Sequence, residues 1–134
     1  MNKFILIIDD NEAIRDALSW SLNEKGYRIL TAAHGQEAWD IMEQKGAPSL
    51  ILLDMMMPVM DGYEFRTKKS NHVLFKNIPT VILSAKPNLE IQLHLNEVFL
   101  SKPFDLHCLF KIIKHQLNVL LNTDKQSLTE LCAY

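Results

Sequence analysis

A chain of 134 residues with 48% apolar and 22% charged residues has the size and composition of one ordinary globular domain, which excludes disorder, a fibrous repeat and a second domain of useful size. With 14 Lys and Arg against 16 Asp and Glu, the net charge of -2 supplies no positive field for a polyanion, so nucleic acid is not expected as a direct partner. No apolar run approaches the ~20 residues of a membrane span and no secretory segment is visible, so neither membrane nor export is expected.

In chain order, Phe4-Ile5-Leu6-Ile7-Ile8 is the first expected strand, and its unbroken apolarity suits a strand covered on both faces of a parallel sheet. Asp9-Asp10-Asn11-Glu12 then offers cap oxygens and negative charge to a helix. The apolar positions of that helix, Ile14, Ala17, Leu18 and Leu22, recur at helical spacing and stop at Gly26. Tyr27 to Thr31 reads as the second strand. Gly35 to Gln44 reads as the second helix, with Ala38, Ile41 and Met42 on its apolar face. Leu50 to Leu53 is the third strand, and a weaker third helix runs from Gly62 towards Ser70.

Thr80 to Leu83 is the fourth strand. After it, Lys86 to Asn96 is expected to hold a short fourth helix, marked only by Leu89, Leu93 and Leu95 and delayed by Pro87. Val98 to Leu100 is the fifth strand. The last helix starts from Asp105 and carries the stripe Leu106, Leu109, Phe110, Ile113, Leu117, Leu120 and Leu121. From Asn122 onward the pattern thins into a polar tail or frayed extension, so the domain is expected over 1–121 and the tail over 122–134. Five short apolar runs alternating with amphipathic ones are the pattern of an α/β fold.

In an open parallel sheet, ligands bind beyond the carboxyl ends of the strands. Asp9 and Asp10 follow the first strand, Asp54 the third, Ser84 the fourth, and Ser101 and Lys102 the fifth. Singly each has a plainer reading: Asp9 and Asp10 can cap a helix, and Asp54 can open a turn. Together they crowd three carboxylates on one rim, where mutual repulsion must be offset by a cation. Lys102 and a divalent metal are the candidates. The donors are all hard oxygens, which points to Mg²⁺, with Mn²⁺ as the alternative. A carboxylate nucleophile so placed can accept a phosphoryl group, and Asp54, last on the central strand, is the natural acceptor.

Four segments resemble the receiver domain of two-component response regulators: Ile7-Ile8-Asp9-Asp10-Asn11-Glu12, Leu52 to Gly62, Ile82-Leu83-Ser84-Ala85-Lys86, and Phe99-Leu100-Ser101-Lys102-Pro103-Phe104-Asp105. They occur in order and cover approximately Lys3 to Leu121. The resemblance implies a flavodoxin-like (CheY-like) doubly wound parallel sheet of five strands in the order 2-1-3-4-5 with five helices. It implies that Asp54 is the phosphoacceptor, Asp10 a direct Mg²⁺ ligand, Asp9 a ligand through water, and the main-chain carbonyl of Met56 a further ligand. Lys102 would contact the phosphoryl group, Ser84 would be the switch hydroxyl, Phe99 the switch aromatic, and Lys102-Pro103 a cis peptide. The implied partners are a sensor histidine kinase or histidine phosphotransfer protein and a downstream protein, in the cytoplasm.

The chain departs from that pattern after Ser84. Only 17 residues separate Ser84 from Lys102, about one helical turn fewer than the resemblance implies, and Leu95-Asn96-Glu97 stands where Ala-Gly-Ala is usual. A shortened, mobile fourth helix is the expectation, and with it an altered output face. Met55 and Met57 read as core or loop packing, and an apolar Met56 can shade the acceptor from water. Trp20 and Trp39 read as partly buried, the five histidines as surface or boundary residues, Cys108 as a small core residue and Cys132 as a free thiol in the tail. Two other functions compete. A Mg²⁺-dependent aspartate-nucleophile phosphohydrolase would want a second acid where Met56 stands, and a phosphorylation-independent interaction module would normally lack one of the acids or the lysine.

Overall fold

The computed structural model describes residues 3–85 and 91–118. Runs of Ile, Leu and Val with no polar face can be covered only between two helical layers. They form the strands β1 (Ile5–Ile8), β2 (Ile29–Ala32), β3 (Leu50–Asp54), β4 (Thr80–Ser84) and β5 (Glu97–Ser101). All pair in parallel in the order β2-β1-β3-β4-β5, with Leu52 facing Ile7 on one side and Val81 on the other. The helices are α1 (Glu12–Glu24), α2 (Gly35–Lys45), α3 (Gly62–Ser70) and α4 (Leu106–Leu117).

Alternate strand residues feed two separate apolar layers, as the two-residue period of a strand requires. Leu6, Ile8, Ile51, Leu53 and Ile82 pack with Ala38, Trp39 and Met42 of α2 and Phe65 of α3. Ile5, Ile7, Leu50, Leu52, Val81 and Leu83 pack with Leu18 and Leu22 of α1 and with Cys108, Leu109, Ile112 and Ile113 of α4. Cys108 is therefore a core residue, and it is not a free thiol. Among the described residues, no helix is long and apolar enough to cross a membrane.

Local signals set the helix ends, with some substitutions of role. Asn11, rather than Asp9 or Asp10, caps α1, its side chain accepting from the Ile14 N–H. Gly26, at φ +93°, turns the chain out of that helix into a region where other residues are strained. His34 caps α2 through Nδ1, Asp61 caps α3 and Asp105 caps α4.

Several expectations are corrected or bounded. The described part of the expected fourth helix is not helical: residues 91–94 are irregular and a turn at 95–96 leads into β5, while 86–90 lie outside the described residues. The described segment is organised by an ion pair instead. Arg66 of α3 donates to both carboxylate oxygens of Glu97, at 2.8 and 2.5 Å, and to the Gln92 carbonyl, while Glu97 also accepts the His94 N–H. Those bonds take up backbone and side-chain groups that a helix would otherwise have to satisfy. Trp20 is 69% exposed rather than partly buried, because it lies off the Leu18–Leu22 face and no described element covers it. Trp39 is buried outright, edge-on to Phe65, His72 and Phe75. The extension of the last helix to Leu121, the tail from Asn122 and Cys132 lie outside the described residues.

Candidate functional site

Parallel strands in register deliver their following residues to one rim, and the acids meet there. Asp9 and Asp10 follow β1 and Asp54 closes β3, and carboxylate oxygens from the three lie within 4.8 Å of one another. Asp9 and Asp54 are buried, whereas Asp10 is exposed. Lys102, just past β5, places its Nζ 3.0 Å from Asp9 Oδ2 and 3.3 Å from Asp54 Oδ1. One ammonium thus bridges two buried carboxylates that are 45 residues apart in the chain (54 − 9).

The electrostatics follow from that crowding. Burial and the neighbouring Asp9 charge push the Asp54 carboxyl above its ordinary range, with Lys102 acting in the opposite direction. Burial by itself would lower the Lys102 ammonium. The hydrogen bond to Asp9 and the charges of Asp54 and Asp9 outweigh it and hold the ammonium above its usual value. All the clustered donors are carboxylate oxygens with no thiolate or imidazole among them, the chemistry that suits a small hard dication.

Around this centre, Ser84 ends β4 and is buried, and its main-chain carbonyl accepts the Lys102 N–H at 2.7 Å. The Lys102-Pro103 peptide is cis. Phe99 lies opposite Ile82 in the β4–β5 register, two residues from the Ser84–Ser101 pair, half-buried against the α2–α3 layer. Met55 and Met57 are buried, while Met56 is 52% exposed beside the acceptor. Every position singled out around the rim is therefore brought to it except Phe99, which stands one layer inward.

Two contributors escaped the sequence reading. Arg15 of α1 donates to the Asp9 carbonyl at 2.7 Å and so pins the loop that carries Asp9 and Asp10; it looked like one more polar residue on an amphipathic helix. Gly62 read as a helix start, yet a Cβ there would stand 2.6 Å from Met55 Cα and 2.8 Å from the Asp54 carbonyl oxygen. Only a residue without a side chain lets α3 begin this close to the acceptor. Between them the loop holds Val59 at φ +67°, an unusual conformation for a β-branched residue.

Comparison with known proteins places the fold in a family. The response regulator receiver domain family matches residues 5–114. Sporulation initiation phosphotransferase F of Bacillus subtilis is 37% identical over 121 residues, 87% of this chain and 95% of that protein. Response regulator Rre1 of Synechocystis is 35% identical over 118 residues, 84% of this chain and 51% of that protein, so the chain spans about half the length of that relative. The receiver domain of the sensor histidine kinase PA1611 from Pseudomonas aeruginosa, solved with a magnesium ion in its active site cleft, superposes with a TM-score of 0.78 at 25% identity. It covers 88% of this chain and 99% of that one. With acids and lysine gathered on the rim of a 2-1-3-4-5 sheet, the chain belongs to the response regulator receiver domain family.

Proposed function

We propose that this receiver accepts a phosphoryl group on Asp54 from a phosphohistidine of a sensor kinase or histidine phosphotransfer protein, and signals by binding another protein or by passing the group onward. The observation that carries the reading is the Lys102 ammonium seated between Asp9 and Asp54 within a cluster of three carboxylates. A Mg²⁺ ion fits the donor set; Asp10, Asp54 and the Met56 main-chain carbonyl would hold it directly and Asp9 through water. Bound there, it would neutralise charge on the transferring phosphoryl oxygens.

The chain's own residues supply the rest. Oδ1 of Asp54 is engaged by Lys102, leaving Oδ2 to attack phosphorus. The P–N bond breaks with its electron pair returning to the imidazole, and an aspartyl phosphate results. Lys102 balances charge on the group as it arrives. Phosphorylation adds close to two negative charges, drawing in Lys102 and the Ser84 hydroxyl, and Phe99 turns into the space this vacates. The name of the Bacillus relative, a phosphotransferase nearly matched in length, supports onward transfer as a route beside protein binding.

The test is intact-mass measurement of the protein incubated with Mg²⁺ and acetyl phosphate, with Asp54→Asn alongside. A gain of one phosphoryl group that is absent from the variant is the expected result. Continuous turnover of the donor with no modified protein would instead indicate a hydrolase, and modification of Asp54→Asn would displace the acceptor from that residue.

A further inference from the structure

The loop from β3 to α3 carries the Met56 carbonyl beside the acceptor, and its shape is held from outside the loop. Within it the Met60 N–H reaches back to the Pro58 carbonyl at 2.8 Å across Val59 at φ +67°, a γ-turn of the rare, strained kind. Such a bend persists only where its surroundings over-determine it. Gly62 fixes one end of the loop, its N–H donating to the Met55 carbonyl at 3.0 Å. The bend is fixed from a different element: the N–H of Gly35, the first residue of α2, donates to the Met60 carbonyl at 3.0 Å. An amide in a first helical turn has no partner inside its own helix, so this one is directed at the loop.

Gly35 and Met60 are both buried, and their approach leaves no room for a side chain. A Cβ on Gly35 would stand 2.8 Å from Met60 Cγ, 2.8 Å from the Met60 carbonyl oxygen and 2.9 Å from its sulfur. The side-chain atoms can rotate aside, but the carbonyl oxygen moves only with the loop. Restoring ordinary contact at 3.4 Å displaces it by about 0.6 Å (3.4 − 2.8). We propose that Gly35 is a positioning residue for the cation: by clamping Met60 it holds the γ-turn, and through it the Met56 carbonyl, in the arrangement that receives Mg²⁺ together with Asp10 and Asp54. Mg²⁺ demands near-ideal ligand geometry, with a tolerance of about 0.2 Å in distance, so a main-chain shift of that size is felt as lost affinity although Gly35 touches neither metal nor phosphoryl group. The inference rests on the metal-dependent acceptor proposed above.

Mg²⁺ alone is titrated into the ¹⁵N-labelled full chain and followed through the backbone amides of Asp10 and Asp54. Gly35→Ala is expected to weaken its binding about tenfold, the size typical of losing a group that supports a metal ligand. Gly46→Ala is the control. Gly46 follows the other end of α2 at φ +90°, where an added Cβ meets no neighbour but the backbone is strained, so this variant weakens the helix without touching the loop and should keep the wild-type affinity. Reciprocity supplies a second readout on the unaltered chain: saturating Mg²⁺ should slow hydrogen exchange of the Gly35 amide about tenfold. The Gly46 amide, bonded to the Met42 carbonyl at 2.9 Å, should keep its rate. That measurement decides the question even if Gly35→Ala fails to fold. Equal affinity in Gly35→Ala and the wild type, a loss shared by Gly46→Ala, or a Gly35 exchange rate indifferent to Mg²⁺ would each overturn the inference while leaving the metal site in place. Failure of the wild type to bind Mg²⁺ would instead overturn the site and the inference together.

Discussion

Lys102→Met removes the cation that bridges Asp9 and Asp54 while keeping much of the apolar stem. At 3.0 and 3.3 Å, each attraction is about 5 kcal/mol at an effective dielectric of ~20, most of it cancelled by the cost of taking the three ions out of water. With the lysine side chain 18% exposed, the net loss should fall at the low end for a broken buried pair, about 3 kcal/mol. That corresponds to roughly 10 °C in Tm for a domain of this size. Equilibrium urea unfolding can be followed through Trp39, which is 4% exposed in the folded chain, against a Trp20 already 69% exposed.

The pH dependence carries a definite sign. Burial and Asp9 already hold the Asp54 carboxyl above its ordinary value, so the folded chain keeps that proton more tightly than the unfolded one, and stability falls as pH rises through the raised value. Without Lys102 the carboxyl rises further. The gap between variant and wild type is therefore small near pH 4 and widens towards neutrality. The raised Lys102 value makes its own contribution complete below the unfolded lysine range and lost only as pH climbs through the folded value. Added Mg²⁺ is expected to stabilise the variant more than the wild type, by taking the ammonium's place. Coincident unfolding curves at pH 7.5 without divalent cation, or a gap independent of pH, would refute this account of the site.

Asp54→Asn is expected to raise stability near pH 7 by about 1 kcal/mol, because the ionised carboxylate is disfavoured in the fold by burial and by Asp9; a lower Tm in metal-free buffer would contradict it. Arg66→Met takes the guanidinium from the buried Glu97 carboxylate, leaving it only the His94 contacts, and is expected to cost about 3 kcal/mol, with faster hydrogen exchange in residues 92–97. Burial alone would raise the Glu97 carboxyl, but the Arg66 and His94 hydrogen bonds and charges hold it low. That pair's stabilisation is thus present above the unfolded value and lost as pH falls through the folded one, so an acid titration as steep in the variant as in the wild type would count against it. Val59→Gly relieves a β-branched residue at φ +67° that is 76% exposed. After the entropy cost of glycine it should stabilise by about 0.5–1 kcal/mol, and an unchanged urea midpoint would show the strain to be absent.

The order of strands and helices, and the rim on which the chemistry sits, were legible in the chain because they rest on local signals: unbroken apolar runs, helical spacing and short polar punctuation. A parallel sheet then carries Asp9, Asp10, Asp54, Ser84 and Lys102 to one end as a matter of strand direction. Four short segments sufficed to suggest the family. What the chain could not disclose depends on atoms brought together across long separations. Arg15 matters only because α1 lies where its guanidinium reaches the Asp9 carbonyl, and Gly62 only because α3 starts against Asp54. The segment before β5 looked like a short helix because Leu93 and Leu95 sit at apolar-looking intervals. Its course is decided instead by Arg66, a residue from α3 that reaches Glu97 across 31 positions. Trp20 and Trp39 make the same point: both lie on amphipathic helices, and burial separated them only when α3 and the 72–75 turn closed over one and nothing described closed over the other. Local pattern determines which elements form; which side chains end up sharing a dielectric, a charge or a cavity is settled by packing alone.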